Sequence, residues 1–86
     1  MEIKGKNALV TGAGAGIGEA SALMLAENGA AKVVIVDIDE GNLKKVADAV
    51  RAAGSEPIIK VCDVSVTDNV VQLFEEAEAE TGGLDI

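Results

Sequence analysis

The stretch Thr11-Gly12-Ala13-Gly14-Ala15-Gly16-Ile17-Gly18 directly follows the apolar run Ala8-Leu9-Val10 and leads into a segment with helical spacing. Glycine loses more backbone freedom on ordering than any other residue, so four of them between positions 12 and 18 are costly for a turn that only redirects the chain. The string does not fit G-x-G-x-x-G: counted from Gly12 the last position is Ile17, and from Gly14 it is Glu19. It does not fit G-x-x-x-x-G-K-[ST] either. It fits G-x-x-x-G-x-G through Gly12, Gly16 and Gly18. Gly12 lets the chain turn sharply out of a strand, Gly16 lets the backbone approach a pyrophosphate, and Gly18 lets the following helix lie close to the sheet. The free N–H groups at the start of that helix then face the phosphates. A tight turn that binds nothing is the competing reading, and it leaves the glycines unexplained.

Outward from this point the chain alternates. Apolar runs at Ala8-Leu9-Val10, Val33-Val34-Ile35-Val36 and Ile58-Ile59-Lys60-Val61 read as strands, and the first two lack the polar alternation of a half-solvated sheet. Helical spacing joins Ile17, Ala20, Met24 and Leu25, then Leu43, Val46, Ala47 and Val50, then Val70, Leu73, Phe74 and Ala77. Gly29, Gly54 and the Gly82-Gly83 pair stand where left-handed C-terminal caps belong. Asp39 is placed to cap the second helix, and Ser65 with Asp68 forms an acidic capping box for the third.

Strands and helices in this order predict an α/β fold: a Rossmann-type parallel sheet with right-handed crossovers, a βαβαβ half plus one further helix. Leu84-Asp85-Ile86 reads as the start of a fourth strand, and residues 1–86 read as one domain. The ligand crevice of such a fold opens beside the first strand. Both crossover helices fall on one face of the sheet, leaving the third helix, from Ser65 to about Glu80, to cover the other. That face is therefore expected to be largely bare, and the first strand to lack a settled neighbour on its far edge. An unpaired edge recruits another chain, so a homodimer or larger homo-oligomer is expected.

Asp37 closes the second strand, 19 residues after Gly18, where an acid accepts hydrogen bonds from the adenosine ribose. A 2′-phosphate within about 4 Å of that carboxylate meets a repulsion of about 1–4 kcal/mol per unit charge. Neither Ala15 nor Ile38, nearest in sequence to the phosphate and ribose ends, offers a cation in compensation. NAD is thus favoured over NADP. Asp37 also reads as a helix N-cap in a solvated loop, a role compatible with the first.

Thr11 to Gly18, Asp37, Cys62-Asp63-Val64-Ser65 and Gly83-Leu84-Asp85-Ile86 together resemble the short-chain dehydrogenase/reductase family, across the whole chain but over only the N-terminal part of the family's domain. The resemblance implies that Asp63 hydrogen-bonds the adenine amino group, that Val64 offers its backbone N–H nearby, and that Ile17 lines the diphosphate and nicotinamide side. The cofactor-binding candidates are then Gly12, Ala15, Gly16, Ile17, Gly18, Asp37, Ile38, Asp63 and Val64. A loop carboxylate serving the next helix is the plainer reading of Asp63. Asn7 departs from the apolar residue more usual at its position.

In the family an Asn-Asn-Ala-Gly turn, a catalytic serine and a Tyr-x-x-x-Lys pair follow, and none of them lies within these 86 residues. The chain contains no Tyr and no His, so no phenol or imidazole is available for proton transfer. No catalytic residue is assigned, and these residues alone are expected to give no alcohol or carbonyl turnover. They read either as an NAD-binding portion of such an oxidoreductase or as a truncation product that self-associates and binds no nucleotide.

Seven Lys and Arg against 15 Asp and Glu give a net charge of −8, which disfavours nucleic acid and anionic membrane surfaces as partners. The start, Met1-Glu2-Ile3-Lys4-Gly5-Lys6-Asn7, has no long apolar run of the kind a signal peptide needs, so the cytoplasm is the expected location. Cys62 is alone and reads as a small buried hydrophobe at a strand end. Glu75, Glu76, Glu78 and Glu80 read as a solvated helix surface rather than a metal site.

Overall fold

Val33, Val34, Ile35 and Val36 are all fully buried, which a strand achieves only when both faces of its sheet are covered. The computed structural model, which describes residues 2–86, places these four residues in the middle of a three-stranded parallel sheet. Its elements are β1 (Asn7–Thr11), α1 (Gly16–Glu27), β2 (Lys32–Asp37), α2 (Glu40–Ala52), β3 (Glu56–Val61) and α3 (Thr67–Thr81). The strand order is β1-β2-β3, with Leu9 beside Val34 and Val34 beside Ile58. Pro57 is tolerated because β3 is an edge strand, where one side of the backbone needs no ladder donor.

Alternate side chains feed two cores. Ala8, Val33 and Ile35 pack with Ala22, Leu25 and Ala26 of α1 and with Leu43, Val46, Ala47 and Val50 of α2. Val34 and Val36 pack with Leu73 and Ala77 of α3, with Leu9, Ile58, Cys62 and Leu84 partly buried around them. The expected division of helices between the two faces is present. The second face is less bare than expected, because α3 lies over the central strand and leaves only the flanking strands half-covered.

Three local expectations are corrected. The buried face of α1 is Ala22, Leu25 and Ala26, whereas Ile17, Ala20 and Met24 are exposed. Glu19, Ser21 and Glu27 are scattered around this helix among its apolar residues, so its spacing carries little contrast, and close packing at its glycine-rich start fixes its rotation. On α3 the buried line is Leu73, Ala77 and Thr81, and Phe74 is 44% exposed. The Ser65 capping box does not form: α3 begins at Thr67 with Val66 as an N-cap that supplies no side-chain bond. The Ser65 hydroxyl instead donates to Asp63 Oδ1 at 2.6 Å. Asp39 does cap α2, its Oδ1 accepting from Asn42 N at 3.1 Å.

The outer edge of β1 is partly occupied. Leu84-Asp85-Ile86 forms no regular strand, yet Asp85 N donates to Asn7 O at 2.8 Å and Leu9 N to Ile86 O at 3.1 Å. Asn7 anchors this turn. Its Nδ2 donates to Thr81 O at 3.1 Å and Gly83 O at 2.9 Å, and its backbone N–H to Asp85 Oδ2 at 2.9 Å. A polar residue in a strand of apolar neighbours is thus accounted for by two carbonyls at the end of α3. Cys62 is only half-buried rather than buried, its thiol 3.8 Å from Asn69 O.

Candidate functional site

Three parallel strands bring their C-terminal ends, Thr11, Asp37 and Val61, to one edge of the sheet. The glycine turn leaves β1 there. Gly12 and Gly16 have φ of 64° and 59°, a left-handed backbone open to glycine at no steric cost. Gly18 is required for a different reason: a Cβ on it would stand 2.0 Å from Gly12 O, so the first turn of α1 rests on the backbone it has just left. At Gly16 no atom lies within 4 Å of where a Cβ would point, and the space is open.

The start of α1 has no side-chain cap, because its N-cap is Ala15. The first N–H groups of a helix have no partner within the helix, and here they stand beside open space at the sheet edge. Helix α2, with Asp39 as its cap, shows the ordinary solution. An anion at the start of α1 would satisfy the same groups and meet the positive end of the helix dipole.

Asp37 sits beside this turn. Its Oδ2 accepts from Gly14 N at 2.9 Å, and its Oδ1 accepts from Ile38 N at 2.7 Å and Asp39 N at 3.2 Å. The N–H groups of Gly14 and Asp39, with a smaller contribution from Ile38, hold its carboxyl below the usual carboxylate range against a small opposing effect of burial. The side chain is therefore a secure anion near neutral pH. Its main chain is fixed too, since Asp37 O accepts from Cys62 N at 3.0 Å. The N-cap of α2 is Asp39, so Asp37 does not hold that role.

Asp63 lies just past β3. Its Oδ1 accepts from the Ser65 hydroxyl and, at 3.0 Å, from Ser65 N, and these two bonds lower its carboxyl pKa. The apolar side chains near these polar groups in sequence are exposed: Ile17 by 87%, Ile38 by 69% and Val64 by 45%. Exposed aliphatic groups near an uncapped helix start and an ionised carboxylate would suit a ligand with a phosphate centre, a sugar and flat rings. The donor set therefore fits a dinucleotide.

Gly14 was not singled out by its place in the glycine pattern, and its φ is not positive. Only the contact with Asp37 reveals it. A groove of about 250 Å³ between β3 and α3 reaches this edge through Asp63. Among its lining residues, Lys60 pairs with Glu76 at 3.0 Å and with Glu80, so two of the four glutamates read as solvated surface are also tied to the sheet while their side chains stay partly exposed.

Residues 6–86 match the family model described as short chain dehydrogenase. The chain is 49% identical over 79 residues to a cis-4-hydroxycyclohexanecarboxylate dehydrogenase of Sinomonas cyclohexanicum, covering 92% of this chain and 31% of that protein. It is 42% identical over 84 residues to a hydroxynaphthalene reductase-like protein of Metarhizium brunneum, covering 98% and 32%. Among solved structures, NAD+-bound xylitol dehydrogenase superposes with a TM-score of 0.91 at 36% identity, over 99% of this chain and 32% of that one. A short chain dehydrogenase/reductase from Burkholderia phymatum in complex with NAD gives 0.89 at 42% identity, over 98% and 30%. The chain spans about a third of the length of the curated relatives it matches.

Proposed function

The chain belongs to the short-chain dehydrogenase family, and from that membership we propose that residues 1–86 form one dinucleotide-binding unit of an alcohol or carbonyl oxidoreductase that takes NAD in preference to NADP. The glycine turn, through Gly12, Ala15, Gly16, Ile17 and Gly18, receives the pyrophosphate at the start of α1. Asp37 and Ile38 receive the adenosine ribose, and Asp63 and Val64 the adenine. Bound NAD would supply the hydride acceptor; the chain's own residues bind, orient and select.

The observation that carries this reading is the Asp37 carboxylate, kept ionised by three backbone N–H groups beside a helix start without a cap. Such a group accepts ribose hydroxyls and repels a 2′-phosphate. Calorimetric titration of the chain tests it. NAD should bind saturably, NADP about fivefold to several hundredfold more weakly, and Asp37→Ala should lose the distinction. Equal affinities, or no heat with NAD at millimolar concentration, would overturn it.

These 86 residues contain no Tyr and no His, and on this reading they give no turnover by themselves. A hydride-transfer rate above background in the purified chain would refute that. The proposed setting is the cytoplasm; no helix among the described residues is long and apolar enough to cross a membrane. A second reading, self-association without nucleotide binding, is favoured by the exposed Val66, Val71 and Phe74 at the start and along the outside of α3. Sedimentation combined with the NAD titration distinguishes the two: the second requires a homodimer or larger species to which no nucleotide binds.

A further inference from the structure

The glycine turn is stitched to the end of β2 by two successive N–H groups. Ala13 N donates to Val36 O at 2.9 Å, a main-chain bond open to any sequence. Gly14 N donates to Asp37 Oδ2 at 2.9 Å, a bond that exists only because position 37 carries an acceptor. Gly14 is buried, so its N–H would be poorly served by water if that acceptor were lost. A Cβ on Gly14 would stand 2.8 Å from Asp37 Oδ2, 3.1 Å from its Cγ and 3.2 Å from Asn42 Cβ. The tightest obstacle is the mobile end of a side chain, so the carboxylate rather than the backbone would give way.

From this pair we propose that Asp37 has a second task, as a positioning residue that holds the glycine turn in place before any nucleotide arrives, and that Gly14 is a specificity-determining position because a side chain there would displace the carboxylate. The glycine turn and the ribose acid are then one coupled unit. A side chain at position 14 pushes the carboxylate away from both the turn and the ribose site. The selectivity part of this inference rests on the proposed NAD site, whereas the positioning part concerns the free chain.

Amide hydrogen exchange of the 15N-labelled chain, without nucleotide, reads the positioning directly. Asp37→Ala should speed exchange at Gly14 about tenfold or more, as loss of a charge-assisted hydrogen bond implies, while Ala13, bonded to Val36 O, changes little. Asp37→Asn, which keeps an acceptor, should restore most of the protection. Equal Gly14 exchange in the wild type and Asp37→Ala would overturn the proposal, as would equal acceleration at Ala13 and Gly14 in a folded variant. Gly14→Ala is the second variant: it should stay folded and narrow the ratio of NAD to NADP affinity about tenfold. An unchanged ratio would refute the specificity claim. If the wild type binds neither nucleotide, the proposed cofactor role fails, and the exchange comparison still decides whether Asp37 holds the turn.

Discussion

Replacing Gly18 by alanine sets a small gain in helix propensity against a collision with backbone. The added methyl would stand 2.0 Å from Gly12 O, 2.5 Å from Gly12 C and 3.1 Å from Ala13 Cα. No side chain can turn aside, so helix and turn must separate by more than about 1 Å to reach van der Waals distance. The turn is held to β2 through Ala13 N, and α1 is held to the sheet through the buried Ala22, Leu25 and Ala26. Either movement disturbs a packed contact. Overpacking of this kind costs about 1–3 kcal/mol, and the glycine-to-alanine gain within a helix returns about 0.5–1 kcal/mol. The central values leave an expected net loss of about 1 kcal/mol, or roughly 4–8 °C in Tm for a domain of this size. Urea unfolding followed by circular dichroism measures it. Gly16→Ala is the matched control: it meets no atom, but its φ of 59° puts the methyl in the left-handed region at about 1–2 kcal/mol. A Gly18→Ala chain as stable as the wild type would refute the claim that α1 rests on the Gly12 carbonyl.

Asn7→Val, which restores an apolar strand residue, should lower stability by about 1–3 kcal/mol because the carbonyls of Thr81 and Gly83 lose their donor; equal urea midpoints would show that the clamp contributes nothing. Asp39→Ala should cost about 0.5–2 kcal/mol through loss of the α2 cap, read in the same assay. The pH profile of stability should be flat between about pH 5 and pH 10. Asp37, Asp63 and Glu76 are held below their usual values by hydrogen bonds from Gly14, from Ser65 and from Lys60 respectively, so their contribution is present above the unfolded-state value and lost as pH falls through the lowered one. Lys60, raised above 10.5 by Glu80 and Glu76, contributes below that value and ceases to as pH rises through its folded-state value, so Lys60→Met should flatten the alkaline limb. An unchanged alkaline limb in that variant would count against the bridge.

Chain order, parallel pairing and the placing of the glycine turn were determined by the sequence, because each follows from local periodicity and from residues whose backbone limits are intrinsic. The aliphatic run from Val33 to Val36 reads as a doubly covered strand without any knowledge of what covers it. The place of Asp37 at the end of β2 was legible for a similar reason, since the end of a strand lies at a countable distance from the glycines. Tertiary structure alone decided which face of α1 is buried, since a helix whose polar residues are scattered around it has no preferred side until a contact such as that of Gly18 with Gly12 sets its rotation. It also decided the tasks of Gly14, Asn7 and Lys60. Their partners lie 23, 74 and 76, and 16 and 20 residues away in the chain, a separation across which local pattern carries no information and only the folded sheet brings the atoms together.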